Sequence, residues 1–461
     1  MNKKTVWIGL VLLAGALVVA AQQSEVLIKI TKNEAVVIAV PDLHGSGDAQ
    51  QYMGAFNQTL WDDLENSGLF KLVPKSLYPL DTPQQPADFR LPIQRPPERR
   101  GAPPPPPVYQ GPWLTQWSDP PVSATYLTFG YTGIESGQIV LRGWLFNVKQ
   151  PDAAHAQLFG KVYLAPAGED GARKVAHEFA ADILGQFGGV SLAESHIYFV
   201  SSRKPGTKEI WRMDSDGSNP KQLTFYKSIS MTPAVSPDGR LLAFSSFAKG
   251  NPGIFVHSLE TGRRLPFYND VSSLTTTPEF TPDGKRVLFA SSVAGWAQIF
   301  IANVDGTGMH RVNYSRSIEV EPKVNPKTGA DMVFVSGRSG LPQIYRMTLE
   351  GTDPQRLSSG EGEAVNPAWH PDGQHIAFAW TRGFAPGNYN IFVMDVATRK
   401  FNQLTYGAGR NENPSWAPDG RHIVFSSTRS GSAEIWTMLA DGTQLKQLTT
   451  EGRNTAPVWG K

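Results

Sequence analysis

Serine, histidine and carboxylate side chains are the ones in this sequence that could do chemistry, and their spacing argues against catalysis. A serine hydrolase of the α/β type holds its nucleophile on a strained strand-to-helix turn flanked by glycines. No Gly-x-Ser-x-Gly occurs anywhere in the 461 residues. There are nine histidines and no cysteine. His370, His375 and His422 are expected in different blades of a repeat set out below, and none has the i, i+4 histidine or the cysteine neighbour of a zinc site. They read as surface or packing residues. Asp214-Ser215-Asp216-Gly217 opens like a calcium loop, but its twelfth position is Phe225, where a bidentate glutamate is required, so the run reads as a hairpin turn. No cofactor, no metal and no enzymatic role is expected, and any function falls to surfaces.

Those surfaces depend on an internal repeat in the last 270 or so residues, the first thing to seek in a long chain. Its anchor is a Pro-Asp-Gly turn at Pro237, Pro282, Pro371 and Pro418, with a degenerate copy at Pro326, so that successive prolines lie 45, 44, 45 and 47 residues apart. Proline sets the entry to such a turn, and Asp and Gly accept the conformations that close a hairpin. A Pro-containing strand precedes each turn, as in Thr232-Pro233-Ala234-Val235, and an apolar strand follows it. A third strand (Glu209-Ile210-Trp211, Glu434-Ile435-Trp436) and a short fourth (Gln222-Leu223-Thr224, Gln403-Leu404-Thr405) complete a four-stranded propeller blade. Second strands begin near Ile197, Leu241, Val287, Met332, Ile376 and Ile423, but the first of them has no Pro-containing strand before it. Ala456-Pro457-Val458-Trp459 supplies that strand from the other end of the chain. Six blades are expected, with the C-terminal strand closing the ring and removing the exposed sheet edges that invite aggregation.

The first part of the chain is different. Lys3 and Lys4 precede an apolar run from Val6 to Val19 and the small pair Ala20-Ala21, the layout of a cleavable signal peptide over residues 1–21. Its removal leaves 41 basic against 41 acidic side chains, a balance that disfavours nucleic acid as a partner. Residues 22–190 are expected to form a small α+β domain. Ala35 to Val40 reads as a strand, and Met53, Phe56, Leu60 and Leu64 mark one face of a helix ending near Gly68. Gln138 to Val148 and Ala156 to Leu164 form a hairpin, and Val175, Phe179 and Ile183 mark a second helix that stops at Gly185. Between residues 79 and 112 lie 12 of the 36 prolines, which reads as a solvated, extended insertion. The fold class is therefore mainly β: a small N-terminal α+β domain, then a six-bladed β-propeller over residues 191–461 closed by the C-terminal strand.

Propeller geometry gathers the loops that enter the six first strands at one end of the central channel. Here they contain Met231 and Thr232; Thr276 and Thr277; Ile318, Glu319 and Glu321; Glu363 and Asn366; Arg410, Asn411, Glu412 and Asn413; and Arg453, Asn454 and Thr455. Their mixed chemistry suits a protein interface.

This order of parts, together with Ala39-Val40-Pro41, the run from Asp62 to Phe70, Ala176-His177 and Ala181-Asp182-Ile183, resembles the TolB family of the periplasmic Tol-Pal system. Two features depart from the family pattern: the proline-rich insertion, and the junction from Gly189 to Ile197. The resemblance implies that a Pal-like peptidoglycan-associated lipoprotein meets the loop residues just named. It implies also that a TolA-like inner-membrane protein meets the extreme N-terminal segment, Gln22, Gln23, Ser24, Glu25, Val26, Leu27, Ile28 and Lys29. The expected protein is a periplasmic monomer without stable membrane insertion that serves outer-membrane integrity, constriction at cell division and protein import.

Two other readings remain open at this level. One is a peptidase-related propeller without a catalytic domain, since no residues are expected beyond the last strand to build one. The other is a propeller binding envelope sugars or small ligands, in which Trp211, Trp296, Trp369, Trp416, Trp436 and Trp459 would stack on sugar rings if exposed. At repeat-equivalent strand positions tryptophans more often pack a core.

Overall fold

The computed structural model describes residues 35–91, 93, 95, 96, 105, 108, 111–267 and 274–461. The expected signal peptide and the N-terminal segment 22–29 lie outside the described residues. The described chain divides into two compact units, one within residues 33–193 and one over residues 194–461.

The first unit is built on one mixed sheet. Its strands are β1 (Val36–Ala39), β2 (His44–Gly45), β3 (Phe70–Leu72), β4 (Tyr126–Glu135), β5 (Gln138–Asn147) and β6 (Gln157–Pro166), in the order β3-β1-β4-β5-β6 with β2 beside β4. β1 runs parallel to β3 and β4, while β4, β5 and β6 form an antiparallel meander. Two helices, α1 (Met53–Asn66) and α2 (Glu169–Gln186), cover one face. The apolar residues spaced along α1, Met53, Phe56, Leu60 and Leu64, are all buried, as are Val175, Phe179 and Ile183 of α2. They close one core with Ile139, Leu141 and Leu145 of β5. The opposite face carries a second core around Trp117, Phe129 and Phe146. The helix expected to stop at Gly185 runs one residue further. The proline-rich segment is not simply extended, because Ile93 and Val108 exchange backbone hydrogen bonds and Arg90 N–H donates to Pro112 C=O, which draws its two ends together.

The second unit is the expected propeller of six four-stranded sheets. Its blades are numbered by their second strands. The first strand of blade one is Asn454–Gly460, which pairs antiparallel with His196–Ser201, so the end of the chain closes the ring as the repeat required. The Trp459 indole N–H donates to Ser195 Oγ at 2.8 Å and seals that joint. Each Pro-Asp-Gly turn is held by its own aspartate: Asp238, Asp283, Asp372 and Asp419 accept from the backbone N–H two residues later at 2.7 to 3.1 Å. Glycine follows because φ there lies between +66° and +70°, a region L side chains avoid. The Gln-Leu-Thr repeat has an equally local cause. Thr224, Thr405 and Thr449 each accept the backbone N–H of the isoleucine in the neighbouring third strand, a bond that Asn313 and Ser358 make in blades three and four.

Candidate docking mouth

The first strand of every blade lines the channel, and every one is bulged. Its pairing with the second strand slips between its second and fifth residues, as between Met231 and Ala234 or Glu412 and Ser415. The third residues are Thr232, Thr277, Glu321, Asn366, Asn413 and Ala456, all with φ between +49° and +56°. Each precedes a proline. Because proline has no N–H, the bulge sacrifices no ladder donor at that position. Six non-glycine residues in left-handed backbone cost of order 1–3 kcal/mol each, strain of the kind that clusters at ligand clamps.

These six residues bring their side chains to one cavity of about 270 Å³, walled by the first strands of all six blades. Along one arc they are linked in sequence. Thr277 Oγ1 accepts the Glu321 N–H at 3.2 Å, the Glu321 carboxylate accepts the Asn366 N–H at 2.6 Å and its side-chain amide at 3.1 Å, and Asn366 Oδ1 accepts the Asn413 N–H at 3.3 Å. Deeper in the same wall Lys323 Nζ donates to Glu279 at 2.6 Å. Burial raises the pKa of both carboxyls, Glu279 against the pull of Lys323 and Glu321 against that of its Asn366 donors. Repeat reasoning missed Glu279 and Lys323. The signal was present: each directly follows the proline of its first strand.

Thr232, Thr277, Glu321, Asn366 and Asn413 of the sequence-predicted residues therefore share one cavity. Ile318, Arg410 and Arg453 stand exposed at the strand entrances, and Met231, Thr276, Glu363, Glu412 and Thr455 are half-buried there. Arg410 and Glu412 pair at 2.8 Å. Glu319, Asn411 and Asn454 are different, being fully buried with internal partners. Glu319 takes Arg338, Asn411 takes Arg429 and Ser427, and Asn454 donates to Glu434. They occupy the first position of their strands, which turns into the blade.

His370 and His375 do not sit in different blades, contrary to the sequence expectation. They flank a single hairpin in blade five, and Asp372 lies between them, 3.0 Å from His370 Nδ1 and 2.7 Å from His375 Nδ1. That geometry could hold a cation, but its parts already serve the turn. His370 Nδ1 accepts the Asp372 N–H, and blade six repeats the aspartate–histidine pair as Asp419–His422 at 2.6 Å without the first histidine. Burial acts to raise Asp372, yet the nearby His370 ring and hydrogen bonds from His375 and the Gln374 N–H bring it well below the ordinary carboxylate range. Asp214 to Gly217 forms the expected hairpin turn, with Asp214 N–H bonded to Ser218 C=O at 2.9 Å. Of the tryptophans, Trp369, Trp416 and Trp459 are buried, and Arg203 and Arg429 stack on Trp211 and Trp436. Trp296 departs from the core-packing expectation: it lies in a loop and is 56% exposed.

Among the described residues no helix is long and apolar enough to cross a membrane. The model of the TolB beta propeller domain matches residues 188–378 and 357–461, and that of the TolB amino-terminal domain matches residues 24–92. A protein TolB homolog of Chlorobium chlorochromatii is 38% identical over 144 residues, 31% of each chain. The Tol-Pal system protein TolB of Paramagnetospirillum magneticum is 28% identical over 263 residues, 54% of this chain and 51% of that one. Alignments with the first curated relatives span about a third of those proteins' length or less. The crystal structure of TolB from Acinetobacter baumannii shares the fold with a TM-score of 0.74 at 22% identity, over 93% of this chain and 97% of that one. With its propeller matched end to end and residues 24–92 matched by the amino-terminal domain, the chain belongs to the TolB family.

Proposed function

We propose that this chain is a periplasmic, non-catalytic binding component of the Tol-Pal system that docks a Pal-like peptidoglycan-associated lipoprotein at the propeller mouth. A TolA-like inner-membrane protein would engage residues 22–29, so that the chain links the two membranes in support of envelope integrity and constriction at division. The observation that carries this reading is the convergence of all six bulged first strands on one cavity rimmed by exposed charged and apolar side chains. Protein interfaces favour a concave, preorganised site of this kind, because little further ordering is required on binding. Membership of the TolB family supports the choice of system, and the signal-like residues 1–21 support the compartment.

The test is a pull-down from solubilised envelopes with residues 22–461, beside a variant carrying Arg410→Glu, Glu412→Arg and Arg453→Glu. Reversing Arg410 and Glu412 together preserves their pairing while inverting the field presented to the partner. Recovery of a Pal-like lipoprotein by the first protein and its loss from the folded variant is the expected result. Enrichment of no lipoprotein by either would end the assignment.

A further inference from the structure

The first unit, unlike the closed ring of blades, leaves one side of its sheet open. Among the described residues β6 (Gln157–Pro166) pairs with β5 alone, so it forms the edge, and every second residue along it turns its N–H and C=O outward. Proteins guard such edges with short strands, charge or proline. β6 is ten residues long and its only proline is the last. Val162 and Leu164 stand 58 and 51% exposed, with Leu158 at 44% where the pairing with β5 slips. Val162 and Leu164 share a face with Gly160, over which the Trp144 indole lies so closely that a Cβ there would collide with it. On the other face Phe159 and Tyr163 pack on Phe179 of α2. The one charge on the strand is neutralised: Lys161 Nζ donates to Asp182 of α2 at 2.7 Å, and the Tyr163 hydroxyl donates to the same carboxylate at 2.7 Å.

The run Leu158-Phe159-Gly160-Lys161-Val162-Tyr163-Leu164 reads nearly the same in both directions, with leucine at each end, an aromatic ring inside it, a compact residue next and lysine at the centre. We infer that β6 is a homotypic docking edge, at which a second copy of this chain adds its own β6 antiparallel about a two-fold axis through Lys161. This is a weak dimer in place of the monomer expected from the sequence. A two-fold interface is self-complementary, so a strand accepts its own copy only if its pattern survives reversal. Here Leu158 meets Leu164, Phe159 meets Tyr163, and Gly160 meets Val162, whose branched side chain fills the space beside the glycine and rests on the Trp144 indole. At the centre the two lysines face each other, each beside its own Asp182, so that charges alternate instead of repelling. Pairing forms about six main-chain hydrogen bonds and covers both open edges. A strand of an unrelated protein could satisfy the backbone, but the reversible pattern and the neutralised central lysine would have no part in receiving it. The contact is small, and dissociation at about 1–100 μM is expected.

Sedimentation equilibrium of the full mature chain, residues 22–461, at concentrations bracketing that range is expected to show a mass rising from one chain toward two. Val162→Lys with Leu164→Lys, both at exposed positions, is expected to weaken association about tenfold or more. Asp182→Asn, which leaves the facing lysines unneutralised, is expected to weaken it about threefold or more. Thermal melts verify the fold of each variant. The register is read separately, because the chain has no cysteine of its own. Lys161→Cys is expected to give a disulfide-linked dimer under mild oxidation, since directly opposed Cβ atoms lie about 4.5–5.5 Å apart. Leu164→Cys, about 20 Å from its counterpart in this register, is expected to give none. A chain that stays monomeric throughout overturns the inference, as does a dimer that withstands the double lysine substitution or that links through Leu164→Cys and not through Lys161→Cys. A monomeric wild type that retains a co-purifying protein lost from the double lysine variant identifies a foreign strand as the occupant and equally overturns it.

Discussion

Glu321 and Glu279 show how a single side chain in the channel wall couples to pH. A carboxyl whose pKa is higher in the folded than in the unfolded state binds more protons when folded, so its contribution to stability falls as pH rises from the ordinary value of 4.5 through the raised one. Glu321→Gln is expected to flatten this decline, measured as the urea midpoint at a series of pH values from about 4.5 to 7; an unchanged slope would contradict it. Asp372 and Asp419 act with the opposite sign, being lowered, so their contribution is lost as pH falls below the ordinary 3.8. The buried Glu319 depends on Arg338 for charge compensation. Arg338→Ala is expected to cost about 3 kcal/mol in urea denaturation, and adding Glu319→Gln is expected to recover part of it, because an unpaired buried charge is what destabilises.

At the scale of elements, the closing strand Asn454–Gly460 joins the two ends of the propeller through sheet pairing with His196–Ser201 and the Trp459–Ser195 bond. Trp459→Ala removes a buried indole from that joint, and a cost of about 3–5 kcal/mol is expected in thermal or urea unfolding. A loss below about 1 kcal/mol would mean that the ring does not rely on this strand. Much at this scale was legible in the residues. Pro-Asp-Gly turns and Gln-Leu-Thr ends act through bonds within a few residues or one neighbouring strand, so their spacing located the blades. The helix α1 was legible for the same reason, since Met53, Phe56, Leu60 and Leu64 follow the helical period. β4 was not, because Tyr126–Glu135 is buried on both sides and its alternation is blurred.

For the whole molecule, two compact units imply separable behaviour. Residues 194–461 alone are expected to unfold cooperatively in calorimetry and to bind the lipoprotein domain within about threefold of the full chain, a difference under 1 kcal/mol. A fragment that folds but does not bind would place essential contacts in the first unit. The ring explains why the mouth can be a site at all: six loops separated by 40 or more residues meet only because the last strand returns to the first sheet.

The sequence by itself determined the number of blades, the closure of the ring and the strands from which the proposed docking residues come, because each of these follows from short-range turn chemistry repeated at a near-constant interval. Tertiary structure alone decided which of those residues face the channel. One bulge per first strand rotates the third residue inward and leaves the first buried, so Glu321 and Asn366 line the cavity while Glu319, Asn411 and Asn454 stitch the blades. A slip of one residue in a strand exchanges its faces, and although the proline after each third residue marks the slip, which faces it exchanges is settled only by the pairing with the second strand.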